Sequence, residues 1–73
     1  MELSKEITKY WNGIRQEFSP KMAAQIAHEI TQIQNYSDYR ILLRTVKAKV
    51  KKESQKIALR IFNRLVDALL TKR

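Results

Sequence analysis

The sequence predicts an all-α fold, a small antiparallel bundle of three or four helices forming a single helical domain over residues 1–73. Three observations carry this expectation. Apolar residues recur at three- and four-residue spacings along most of the chain, the period of an amphipathic helix. The 73 residues contain one Gly and one Pro, too little turn punctuation for a sheet. Apolar side chains make up 44% of the chain, enough buried surface to offset chain entropy and to argue against disorder.

The first helix is expected from about Leu3 to Phe18. Leu3, Ile7, Tyr10, Ile14 and Phe18 follow one another at spacings of four, three, four and four. Ser4 is suited to cap its start, and Gly13 weakens its middle by about 1 kcal/mol relative to Ala. Trp11 lies beside this stripe, at the edge of the core or as an exposed anchor for a partner. Ser19-Pro20 is the clearest boundary in the chain. Ser accepts a hydrogen bond at an N-cap, Pro sits well at the first helical position, and the residue before Pro avoids helical geometry.

The second helix runs to about Gln34, with Met22, Ile26, Ile30 and Ile33 as its stripe and Ala23 and Ala27 widening it. Asn35 to Asp38 forms the next break. Asn35 suits a helix end, Ser37 a cap, and Asp38 places a negative charge in the following first turn. Tyr39, Leu42, Leu43, Val46 and Val50 mark the apolar face of the third helix. Residues 51–55 are polar but lack Gly and Pro. A break or bend is expected there, because one 34-residue helix cannot fold back into a small core. Ser54 is then a candidate cap for a last helix from about Gln55 to Thr71, with Ile57, Ile61, Phe62, Leu65, Ala68 and Leu69 on one face.

These stripes assemble an expected core of Ile7, Ile14, Phe18, Met22, Ile26, Ile30, Leu42, Val46, Ile57, Ile61, Leu65 and Leu69. A core of this size is marginal, so a homodimer that buries more apolar surface is compatible with it.

Composition excludes several classes of function. The chain has no Cys and one His, so it offers no disulfide framework, thiolate site or histidine pair for a metal. With a single Gly there is no glycine-rich phosphate loop. No run approaches 18 consecutive apolar residues, and the opening residues Met1 to Glu6 lack the basic and apolar regions of a signal peptide. His28 has no Ser at helical spacing, and its neighbour Glu29 points about 100° away on a helix. It reads as a partly exposed polar residue beside Ile26 and Ile30. The expectation is a non-enzymatic binding module without cofactor, located in the cytoplasm.

The charge is uneven. Residues 1–36 hold four basic and four acidic side chains, whereas residues 37–73 hold eleven basic and three acidic, the whole net charge of +8. Arg40, Arg44, Lys47 and Lys51 recur at four, three and four, and Lys49 and Lys52 broaden the stripe. Lys56, Arg60 and Arg64 make a second stripe at i+4 spacing. Two such stripes on adjacent helices create a positive field of several kT. That field suits a solvated face that keeps the chain soluble, contact with nucleic-acid phosphates, or attraction to an anionic membrane surface or an acidic loop of a membrane protein.

Three segments, in order, also resemble a known family. Ala24-Gln25-Ile26-Ala27-His28-Glu29-Ile30, then Tyr36-Ser37-Asp38, then Asn63-Arg64-Leu65-Val66 are similar in order and interval to motifs of the immunity proteins for pediocin-like (class IIa) bacteriocins, the enterocin A immunity family. The resemblance covers about residues 24–70. It implies a small basic cytosolic protein folded as an antiparallel four-helix bundle, which protects a producer cell from its own bacteriocin. It further implies action at the inner membrane face, on the mannose phosphotransferase permease that serves as bacteriocin receptor. The working surface on this reading is the basic face of Arg40, Arg44, Lys47, Lys49, Lys51, Lys52, Lys56, Arg60 and Arg64. The alternative is a small basic helical nucleic-acid-binding regulator of phage or plasmid type. A third reading is an adaptor whose apolar groove accepts a partner helix.

Overall fold

The computed structural model describes residues 3–71. Four helices follow one another: α1 (Leu3–Ile14), α2 (Pro20–Ile30), α3 (Tyr36–Lys49) and α4 (Glu53–Thr71), with a 3-10 turn at Arg15–Glu17 after α1. Each helix packs on its chain neighbours and α4 closes the ring against α1. Short links between packed neighbours force successive helices to run antiparallel. The molecule measures 33 × 20 × 20 Å, the cross-section of two helices by two at about 10 Å each.

The boundaries follow from local chemistry. At the end of α1, Gln16 donates its side-chain amide to the Gly13 carbonyl at 2.9 Å, satisfying one carbonyl that the helix leaves unpaired. Ser19 caps α2 as expected: its hydroxyl accepts from the Met22 amide at 3.3 Å, and Pro20 follows at the first helical position. α2 ends at Ile30 rather than near Gln34, and Ile33 reaches the core from the link after it. The cap of α3 is Asn35, not Ser37. Asn35 Oδ1 accepts from the Asp38 amide at 2.9 Å, and Asp38 Oδ2 accepts from the Gln34 amide at 3.0 Å. This reciprocal pair satisfies two backbone donors and leaves Ser37 inside the first turn. Ser4 and Ser54 likewise lie within their helices. The Ser4 carbonyl accepts from the Thr8 hydroxyl at 2.8 Å.

The expected break between the third and fourth helices is present, made without Gly or Pro. Val50 turns to extended backbone at φ −89° and ψ 128°, and its side chain is buried. Inserting Val50 into the core ends α3, while Lys51 and Lys52 stay in solvent.

The core centres on aromatic rings. Trp11 is fully buried, its ring centroid 5.1 Å from that of Phe18 and 5.7 Å edge-on from that of Phe62. Its indole N–H donates to the Ala23 carbonyl at 3.3 Å, which joins α1 to α2. Trp11 is therefore the centre of the core, neither its edge nor an exposed anchor. Of the residues expected inside, Ile7, Phe18, Ile26, Ile30 and Val46 are buried, and Ile14, Met22, Leu42 and Leu69 are partly so. Ile57, Ile61 and Leu65 are instead exposed at 49%, 50% and 42%. α4 presents Ala58, Leu59, Phe62 and Val66 to the core, a rotation that seats Phe62 between Trp11 and Tyr39. No described residue lies in a strand, and no helix is long and apolar enough to cross a membrane.

Candidate functional site

The register of α3 against α4 is set by one polar bond. The Tyr39 hydroxyl donates to Asn63 Oδ1 at 2.7 Å. Burial raises the Tyr39 phenol above the ordinary tyrosine range, nearby Asp67 and Tyr36 add to this, and Arg40 opposes it. The neutral hydroxyl therefore persists as the donor. From this fixed point, antiparallel geometry puts Arg40 at about the level of Arg64 and Arg44 at about that of Arg60 along the pair. Lys47 lies near Lys56, and Lys51 and Lys52 occupy the link. Eight of the nine basic residues thus line one seam about 20 Å long, given the 1.5 Å rise per residue of α3.

At the link end the seam opens into a groove of about 300 Å³. Val50, Leu59 and Asn63 line it together with Lys47, Lys56 and Arg60. Three cations thus surround a partly apolar floor that also carries the Asn63 amide. All nine basic residues are exposed, and none has a carboxylate partner among the described residues. Arg40 packs its guanidinium over the Tyr36 ring at 5.9 Å, a cation–π contact that keeps the charge at the surface. Cations outnumber carboxylates on this side, where Asp67 is the acid close enough to act on Tyr39, and the excess positive charge favours any anion that can approach.

The ninth residue behaves differently. Lys49 faces away from the seam and lines a second groove of about 310 Å³ between α2 and α3. That groove has an apolar floor including Ile26 and Val46 and a lining of mixed charge, with Glu29 and Asp38 as well as Lys49. Its electrostatics select neither sign of ligand, so Lys49 leaves the candidate basic site.

One surface feature escaped the sequence reading. Ile57, Ile61 and Leu65, placed in the core by periodicity, form an exposed line along α4. At 100° per residue, Arg60 and Arg64 are the seam residues that border this line. The available signal was the width of the apolar arc: α4 carries more apolar residues than one packed face can hold.

Among the described residues, no three His, Asp or Glu side chains come together to hold a metal ion. His28 is exposed on α2. Comparison of the chain with protein-family models, with curated proteins and with solved structures finds no match.

Proposed function

We propose that this chain is a non-enzymatic binding protein of the bacteriocin-immunity type, engaging a membrane receptor–bacteriocin complex from the cytosolic side through its basic α3–α4 seam. The observation that carries the reading is the set of exposed cations along the seam, unpaired with any carboxylate among the described residues. Such a surface favours an acidic partner segment and steers its approach. The segments that resemble the immunity family support the bundle: Asp38 completes a helix cap, Asn63 holds Tyr39, and Val66 is buried. Arg64, in the same run, is exposed on the seam.

The test is protection. A bacteriocin-sensitive strain expressing the chain should survive the cognate peptide, and one expressing Lys47→Glu, Lys56→Glu, Arg60→Glu should not. All three positions are exposed, and reversal relieves repulsion, so the helical circular dichroism should be unchanged. A folded triple variant that protects fully removes the seam as working surface.

The same row of cations supports a second reading, contact with nucleic-acid phosphates. Anisotropy with duplex DNA at about 50 and 200 mM salt separates the two, because each phosphate contact adds about 0.9 to the log–log salt slope. Tight, steeply salt-dependent binding favours the regulator. No binding at the lower salt removes it.

A further inference from the structure

The line Ile57, Ile61 and Leu65 is an apolar ridge that the bundle leaves uncovered. Its three side chains follow one another at i+4 along the solvent side of α4, each between 42% and 50% exposed. Arg60 and Arg64 flank it on the seam side, and Ala68 continues it. Together the three side chains expose an apolar strip along one face of α4. α4 thus combines a line of aliphatic residues with two flanking Arg side chains that no carboxylate pairs among the described residues, the two ingredients of an interfacial helix.

We infer that α4 seats this ridge in the headgroup–acyl boundary of an anionic lipid bilayer, with Arg60 and Arg64 reaching sideways to lipid phosphates. The inference rests on the membrane-side reading above and specifies the surface on which the seam would work. Charge complementarity favours lipid as the occupant. The flanking cations have no carboxylate partner among the described residues, and long Arg side chains keep their heads at the phosphate level while apolar neighbours sink. A second copy of the chain fits less well. An antiparallel pairing about the ridge sets Arg60 and Arg64 against their copies. The ridge also carries no Trp or Tyr, the side chains that often anchor protein partners.

The test uses the full chain with vesicles of equal phosphatidylglycerol and phosphatidylcholine, and with phosphatidylcholine alone, in flotation assays at low salt. The wild type should bind the anionic vesicles and not the neutral ones. The variant Ile57→Gln, Ile61→Gln, Leu65→Gln keeps charge and helix propensity and should lose about tenfold or more in partition. Because the chain lacks Cys, Ile61→Cys carrying a polarity-sensitive dye should shift blue on anionic vesicles, and Lys21→Cys on exposed α2 should not. No binding of the wild type, equal binding of the Gln variant, or equal shifts of both dyes overturns the inference. So does a concentration-dependent dimer that the Gln variant abolishes. Protection that survives without vesicle binding, and still needs Lys47, Lys56 and Arg60, refutes the lipid contact and leaves the receptor reading standing. Vesicle binding without protection does the reverse.

Discussion

The first helical pair and the second solve different problems with similar lengths of chain. Residues 1–36 are electrically balanced and supply Trp11, the largest fully buried side chain, together with Phe18 and the Ser19-Pro20 corner. Residues 37–73 carry the entire net charge, the seam groove and the exposed ridge of α4. A bundle this small cannot optimise every face for folding. The α1–α2 half spends its apolar residues inside, and the α3–α4 half holds cations and aliphatic side chains at the surface, where they lower stability or solubility. Features that work against the fold concentrate where a partner would bind, as the stability–function trade-off leads one to expect.

Substitution can break or sharpen this division. The largest effect is expected for Trp11→Ala, which removes the ring shared by three helices and the bond to Ala23. Loss of a buried aromatic costs about 3–5 kcal/mol, comparable to the whole stability of a core this size. Urea titration followed by circular dichroism should find it largely unfolded in buffer. If Trp11→Ala loses no more stability than the seam variants, the division fails.

A smaller loss is expected for Tyr39→Phe, the polar tie of the second pair. It leaves Asn63 without its donor and costs about 1–2 kcal/mol, measured as a lower urea midpoint. This tie also has a pH signature. The unfolded chain releases the Tyr39 proton near pH 10, whereas the folded chain holds it to higher pH because burial raises the phenol. The folded state therefore binds more protons above about pH 10, and stability falls as pH rises through that range. Tyr39→Phe should remove this part of the alkaline slope while leaving the neutral range flat.

Asn35→Ala deletes the exposed cap of α3 and should cost about 1 kcal/mol, read as a lower midpoint with an unchanged denaturant slope. The smallest change, and the one of opposite sign, is Gly13→Ala. A Cβ there meets nothing within 4 Å and the backbone is not left-handed. The helix should gain about 0.5–1 kcal/mol, raising the thermal midpoint by a few degrees.

Much of the architecture was legible in the sequence because single residues dominate their surroundings. Ser19-Pro20 admits one interpretation, and the polar interval before Ile57 had to break for the chain to close on itself. Faces were harder to read. On α4 the apolar residues form two overlapping lines, Ile57–Ile61–Leu65 and Ala58–Phe62–Val66, and helical periodicity ranks them equally. The choice is made by a distant ring: Phe62 fits against Trp11 and Tyr39, so its line turns inward. Trp11 was misplaced for a related reason. Its i,i+4 partner Ile7 was grouped with Tyr10 and Ile14, although Leu3, Ile7 and Trp11 make the straighter line. Asn35, which suits the end of the preceding helix, instead caps α3, because its side chain and that of Asp38 satisfy each other's neighbouring backbone donors two residues before Ser37 could. Among the basic residues, Lys49 adjoins the stripe in sequence, but at two residues from Lys47 it lies about 200° around the helix. It accordingly lines the α2–α3 groove on the other side of α3.

The position of Trp11 has an optical consequence. It is the chain's one tryptophan, sealed from water against Phe18 and Phe62. Its fluorescence should be short in wavelength while the four helices stay closed and move to longer wavelength once they part. The seam and the ridge are on exposed faces of α3 and α4, away from the indole's buried position. An anion, a nucleic acid or a vesicle that merely settles on those faces should therefore leave the emission maximum still, and a shift on adding ligand would report that the helices had separated.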